Sequence, residues 1–148
     1  MRTILSSLVL AFLLVGCKDA NPASASETGP KASQETKLVV PEISVEDAAK
    51  ALQSGALAVD ANSDSTREKN GTVPNAILLT SSYKYELSQL PEDESKGLIF
   101  YCANTSCSAS DAAAERASAN GYKNVRVMRD GIKGWKAAGK ATAPYPRS

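Results

Sequence analysis

One place in the chain combines a reactive side-chain type with a position suited to use it. Cys102 closes the apolar run Leu98-Ile99-Phe100-Tyr101 and opens the polar loop Ala103-Asn104-Thr105-Ser106-Cys107. Ser108-Ala109-Ser110-Asp111 follows, a Ser-x-x-acid capping signature at the head of an alanine-rich stretch. A thiol between a buried strand and a helix start lies where α/β folds place their ligands. Successive loop amides and the positive end of the helix dipole would favour a thiolate there. Against this stands the bland alternative of an inert cysteine buried at a strand end.

The chain of 148 residues contains no histidine. Ser-His-Asp and Cys-His catalysis, histidine-ligated zinc and a histidine proton shuttle are therefore excluded. Backbone amides and local dipoles must activate any nucleophile. Two sulfurs alone make a poor zinc site, and no metal or other cofactor is expected.

The elements that would position Cys102 follow from the apolar pattern. Ser44-Val45-Glu46-Asp47 is a second capping signature, and Val45, Ala48, Ala49 and Leu52 form the apolar face of a short helix ended by Gly55. Ala56-Leu57-Ala58-Val59 reads as a strand delivering Asp60 at its carboxyl end, and a polar loop with a helical turn near residues 66–69 runs on to Gly71. Strands are expected at residues 76–79, 98–101 and 125–128. Helices are expected at 83–90, where Pro91 stops the segment, at 109–120, where Gly121 caps it, and at 131–138, carrying a core Trp135. Ala109, Ala112, Ala113 and Ala117 would turn methyl groups to the sheet. Short strands alternating with helices predict an α/β domain with a mostly parallel central sheet flanked by helices.

The amino terminus sets the compartment. Arg2 precedes an apolar segment at residues 4–15, too short to span a bilayer comfortably. Leu14-Val15-Gly16-Cys17 is similar to a bacterial lipobox, so residues 1–16 are read as a lipoprotein signal peptide and Cys17 as the acylated residue. An ordinary secretory signal and an uncleaved anchor are the alternatives. Residues 17–37, with Asn21-Pro22 and Gly29-Pro30 and almost no large apolar side chain, read as a flexible tether spanning roughly 25 Å. Residues 38–148 form the single domain. A lipid on Cys17 would anchor the protein in the cell envelope facing the periplasm; Lys18, in place of an aspartate, leans toward the outer membrane. Without Arg2 the basic residues fall from 17 to 16 and equal the 16 acids, so no nucleic-acid partner is expected.

Four segments in order resemble a rhodanese domain over roughly residues 40–142. Val59-Asp60-Ala61-Asn62 is similar to the family's strand ending in Asp-x-Arg, and Gly71-Thr72-Val73-Pro74-Asn75-Ala76 to its Gly-His-Ile-Pro-Gly-Ala turn. Ile99-Phe100-Tyr101-Cys102 resembles the strand that ends in the nucleophile. Gly121-Tyr122-Lys123-Asn124-Val125, with Gly131-Ile132-Lys133-Gly134-Trp135 and Ala138-Gly139, resembles the carboxyl-terminal signature. The resemblance implies that Cys102 accepts a sulfane sulfur as a persulfide and passes it to a thiol acceptor. The six-residue loop has the length of sulfurtransferase members, shorter than that of phosphatase and arsenate-reductase relatives. It also implies inward-facing amides at Asn104, Thr105, Ser106 and Cys107, with Ala103 and Ser108 completing the substrate cradle.

Three departures bear on substrate. The loop is uncharged, Asn62 stands at the family's arginine position and Thr72 at its histidine position, which suits a neutral or thiol-bound sulfur carrier better than thiosulfate. Cys107 at the other end of the loop gives Cys-x4-Cys. If the loop curls as the family's does, Cys107 could resolve an oxidised or persulfidated Cys102, form a permanent structural disulfide, or sit as a passive small residue. Asp60 is read as structural support, and Arg129 and Asp130 lie near the site without assigned chemistry. Three readings follow: a sulfurtransferase working with a small sulfur donor and a thiol acceptor, a thiol–disulfide redox protein using Cys102 and Cys107, and a binding module without catalysis.

Overall fold

The computed structural model describes residues 39–145. The leader, Cys17 and the tether lie outside the described residues.

Four parallel strands form one sheet in the order β2-β1-β3-β4, comprising β1 (Leu57–Asp60), β2 (Ile77–Leu78), β3 (Leu98–Tyr101) and β4 (Val125–Met128). The register sets Asp60 beside Tyr101 and Tyr101 beside Met128. Four helices accompany the sheet: α1 (Val45–Gln53), α2 (Asp64–Asn70), α3 (Ala109–Ala119) and α4 (Gly131–Ala137). Strand side chains alternate between faces and so feed two cores. Val59, Leu98, Phe100, Val125 and Val127 pack with Ala113, Ala114 and Ala117 of α3. Ala58, Ile99, Tyr101 and Met128 pack with Val45 and Ala48 of α1 and Ile132 and Trp135 of α4. All four residues of β3 are buried, as a strand covered on both faces requires.

Several local expectations change in three dimensions. The buried face of α3 is Ser110, Ala113, Ala114 and Ala117, a rotation away from the all-alanine stripe at 109, 112, 113 and 117. Alanine's small apolar side chain tolerates either orientation, so packing against the sheet decides which is used. Ser44 does cap α1, accepting the Asp47 amide at 3.1 Å, but Ser108 makes no cap bond to α3. Its ψ near 1° holds the hydroxyl away from the helix amides. Residues 83–90 form turns and the short 3-10 segment Leu87–Gln89, because Tyr85 is drawn into the core and its hydroxyl donates to the Ala113 carbonyl at 2.8 Å. The polar loop after β1 contains a two-turn helix, α2, held by a buried Arg67.

The chain leaves β1 to one side for β2 and returns on the other side as β3. A crevice opens at the carboxyl ends of strands where such an order reverses. Cys102 follows β3 at that point.

Candidate active site

Alternation along β3 explains where Cys102 looks. Phe100 faces α3, Tyr101 faces α1 and α4, and Cys102 turns back toward α3. There its sulfur lies 3.3 Å from the Ser110 hydroxyl and 3.1 Å from the Cys107 carbonyl oxygen. Cys102 and Ser110 are each about 1% exposed. The structure joins Cys102 to Cys107 as a disulfide with α-carbons 6.3 Å apart, within the 4.4–6.8 Å range such a bond allows. A bonded sulfur carries no proton, so the Ser110 hydroxyl is the donor in its contact with Cys102.

The loop is fixed from two directions. The Ile132 amide of α4 donates to the Cys102 carbonyl at 2.8 Å, and the Lys133 amide donates to the Ala103 carbonyl at 3.1 Å. Gly131 permits this approach: its φ is +60°, and a Cβ there would lie 2.5 Å from the Cys102 oxygen. Within the loop, Asn104 closes a turn. Its carbonyl accepts the Cys107 amide at 3.0 Å and its side-chain oxygen accepts the Ser106 amide at 3.1 Å. The amides of Ser106 and Cys107 are therefore committed to the loop itself, where a cradle of four free amides was expected. Those of Asn104 and Thr105 have no acceptor among the described residues. Ala103, Asn104 and Cys107 are half-buried, while Thr105, Ser106 and Ser108 are exposed at the rim.

Beneath Cys102 lies a buried polar network. The Tyr101 hydroxyl donates to Asp60 Oδ2 at 2.6 Å and accepts the Val73 amide at 3.0 Å. Asp60 Oδ1 accepts the Asn62 amide at 2.7 Å and Arg67 Nε at 3.3 Å. Arg67 Nη2 donates to the carbonyls of Asp60 and Leu79, at 3.0 and 2.9 Å. One guanidinium thus ties the carboxyl ends of β1 and β2 to the residue preceding Cys102. Burial, reinforced by the Asp60 charge, raises the Tyr101 hydroxyl above its ordinary pKa and keeps it a donor. Asn62, at the position where the resemblance expects an arginine, is buried with no acceptor for Nδ2 among the described residues, and Arg67 supplies the charge from five residues downstream.

Neither Arg67 nor Ser110 stands out in the sequence as a site residue, and Arg129, placed near the site there, carries no assigned chemistry. Arg129 forms a two-pronged pair with Asp111 in the first turn of α3, at 2.8 and 3.2 Å, and also pairs with Glu42. It braces the helix that presents Ser110. An arginine beside Lys69 in a polar segment, or a serine in an alanine-rich helix, gives no pattern to detect. Among the described residues no group of three or more histidine, cysteine or acidic side chains is arranged to hold a metal ion.

Residues 44–138 match the rhodanese-like domain family. The chain belongs to that family. No curated protein matches its sequence. The rhodanese-like fold recurs in solved structures of low identity. The solution structure of the rhodanese-like domain of an Anabaena protein is 18% identical with a TM-score of 0.58, covering 72% of this chain and 81% of that one. The polysulfide-sulfur transferase homodimer of Wolinella succinogenes is also 18% identical with a TM-score of 0.58, covering 73% and 81%. A Rhodopseudomonas palustris protein described as a possible tyrosine phosphatase is 23% identical with a TM-score of 0.56, covering 70% and 85%. At these identities the similarity concerns the fold.

Proposed function

We propose that this rhodanese-like chain is a sulfurtransferase whose reduced Cys102 takes up sulfane sulfur as a persulfide. The observation that carries the reading is the placement of Cys102: at the end of β3, at the strand-order reversal, with its sulfur against the Ser110 hydroxyl and the start of α3. A hydroxyl donor and a helix amino end both favour an anionic sulfur, whether thiolate or persulfide. The uncharged loop from Ala103 to Ser108 gives no cation to fix the thiosulfate dianion or a phosphate ester. It suits a thiol-bound persulfide or polysulfide, in keeping with the polysulfide-sulfur transferase of Wolinella and not with the possible tyrosine phosphatase of Rhodopseudomonas. The lipobox-like segment and the oxidisable pair support a lipid-tethered protein of the cell envelope facing the periplasm.

The test uses reduced Cys107→Ser protein, in which Cys102 has no neighbouring thiol, exposed to glutathione persulfide, polysulfide or thiosulfate. The expected result is a mass gain of about 32 Da that Cys102→Ser abolishes, with thiosulfate the weakest donor. Absence of the adduct with all three donors would end the sulfurtransferase reading.

The bonded Cys102–Cys107 pair favours a second reading, a thiol–disulfide couple. A reduction potential below about −300 mV would make the bond structural and remove that alternative.

A further inference from the structure

We propose that Cys107 discharges the Cys102 persulfide as hydrogen sulfide, making the domain a sulfane-sulfur reductase that ends each turnover as the disulfide seen here. This rests on the persulfide reading and specifies what becomes of the sulfur.

Cys107 reaches the inner sulfur of a Cys102 persulfide without backbone movement, since the α-carbons already stand 6.3 Å apart with the two sulfurs bonded. Cys102 is buried and Cys107 half-buried at the loop end. A thiol already held beside the reacting sulfur outcompetes one that must arrive from solution.

The loop does not need the bond for its shape. Cys102 and Ala103 are anchored by the α4 amides, and Asn104 closes the turn through the amides of Ser106 and Cys107. The crosslink spans a sequence separation of five, where closing the loop removes little chain entropy. A structural staple would add least here. A resolving thiol, in contrast, must sit on a loop that keeps its geometry when reduced.

The chemistry balances in two displacements. The Cys102 thiolate attacks the outer sulfur of a persulfide donor, RS–SH; the RS–S bond breaks, RS⁻ leaves, and Cys102–S–SH forms. Cys107, having lost its proton to solvent, attacks Cys102 Sγ. The Sγ–S bond breaks, HS⁻ departs and the disulfide forms. Two protein thiols are oxidised and the sulfane sulfur is reduced by two electrons to sulfide. Attack on the outer sulfur would only move the sulfane atom to Cys107, but it is the inner sulfur that stands at bonding position. A further cycle requires an external dithiol to reduce the pair.

A single-turnover experiment tests this. The full chain is reduced, freed of reductant and mixed anaerobically with one equivalent of glutathione persulfide, with sulfide trapped by monobromobimane. Wild type should release about one sulfide per protein and finish about 2 Da lighter than the reduced form. Cys107→Ser and Cys107→Ala should retain the gain of about 32 Da and release at least tenfold less sulfide. Wild type that accumulates a stable persulfide without sulfide, while the Cys107 variants load equally, overturns the resolving role and leaves the transferase reading standing. Failure of the Cys107 variants to load, with no sulfide from wild type, overturns both.

Discussion

Gly131→Ala should disable Cys102 from a neighbouring element without touching a sulfur. Its Cβ would meet the Cys102 carbonyl oxygen at 2.5 Å, the Ala103 carbonyl carbon at 2.7 Å and the Asn104 nitrogen at 2.8 Å. All three are backbone atoms, so no side chain can swing aside. Relief requires the loop to withdraw by roughly 0.5–1 Å, and a misplacement of that order costs about 10- to 100-fold in rate. Alanine at φ +60° adds about 1–2 kcal/mol of backbone strain, and weakening the Ile132 and Lys133 amide bonds adds about 1 kcal/mol each. The expected loss is about 3–4 kcal/mol of stability, with a fall in melting temperature of about 10 °C or more. Gly139→Ala is the control: φ is +71° there, but among the described residues nothing lies within 4 Å of the added Cβ. It pays the strain alone and should leave Cys102 reactivity unchanged. The assay is the rate of persulfide formation in the Cys107→Ser background, read by mass, beside thermal melts of each variant. Gly131→Ala with the reactivity of its Gly139→Ala counterpart would refute the claim that α4 sets the loop's position.

Two further outcomes follow from the buried polar groups. Arg67→Met leaves the buried Asp60 carboxylate without its cation, the paired side chains being 5% and 0% exposed, and should destabilise the domain by about 3–5 kcal/mol in urea titrations. Adding Asp60→Asn should recover part of this loss; a single-variant loss below about 1 kcal/mol would contradict the network's role. Ser110→Ala removes the hydroxyl beside Cys102 while keeping a good helix former, so the fold should persist. A hydrogen bond to a charged sulfur is worth about 1.5–3 kcal/mol, so alkylation of reduced Cys102 by iodoacetamide at neutral pH should slow about tenfold or more. An unchanged rate would show that Ser110 does not stabilise the anion.

Much of this molecule is local information. The apolar run at 98–101, the thiol that ends it and the helix that follows are contiguous, so strand, cysteine loop and helix could be read together. Alternating strands and helices implied a parallel sheet, and the four rhodanese-like segments implied the family. The missing histidine, a property of composition, fixed which catalytic devices were unavailable. What the sequence could not express were relations across long separations and rotations about an axis. Arg67 reads as one more charge in a polar segment until β1, β2 and β3 are brought together and their buried carboxylate and carbonyls need a cation. Ser110 reads as helix surface until packing turns α3 by a fraction of a turn and sets the hydroxyl against Cys102. The amides of Ser106 and Cys107 read as a cradle until Asn104 takes them for its own turn. Elements are decided by neighbours along the chain, whereas the orientation of a side chain is decided by whatever the rest of the fold packs against it.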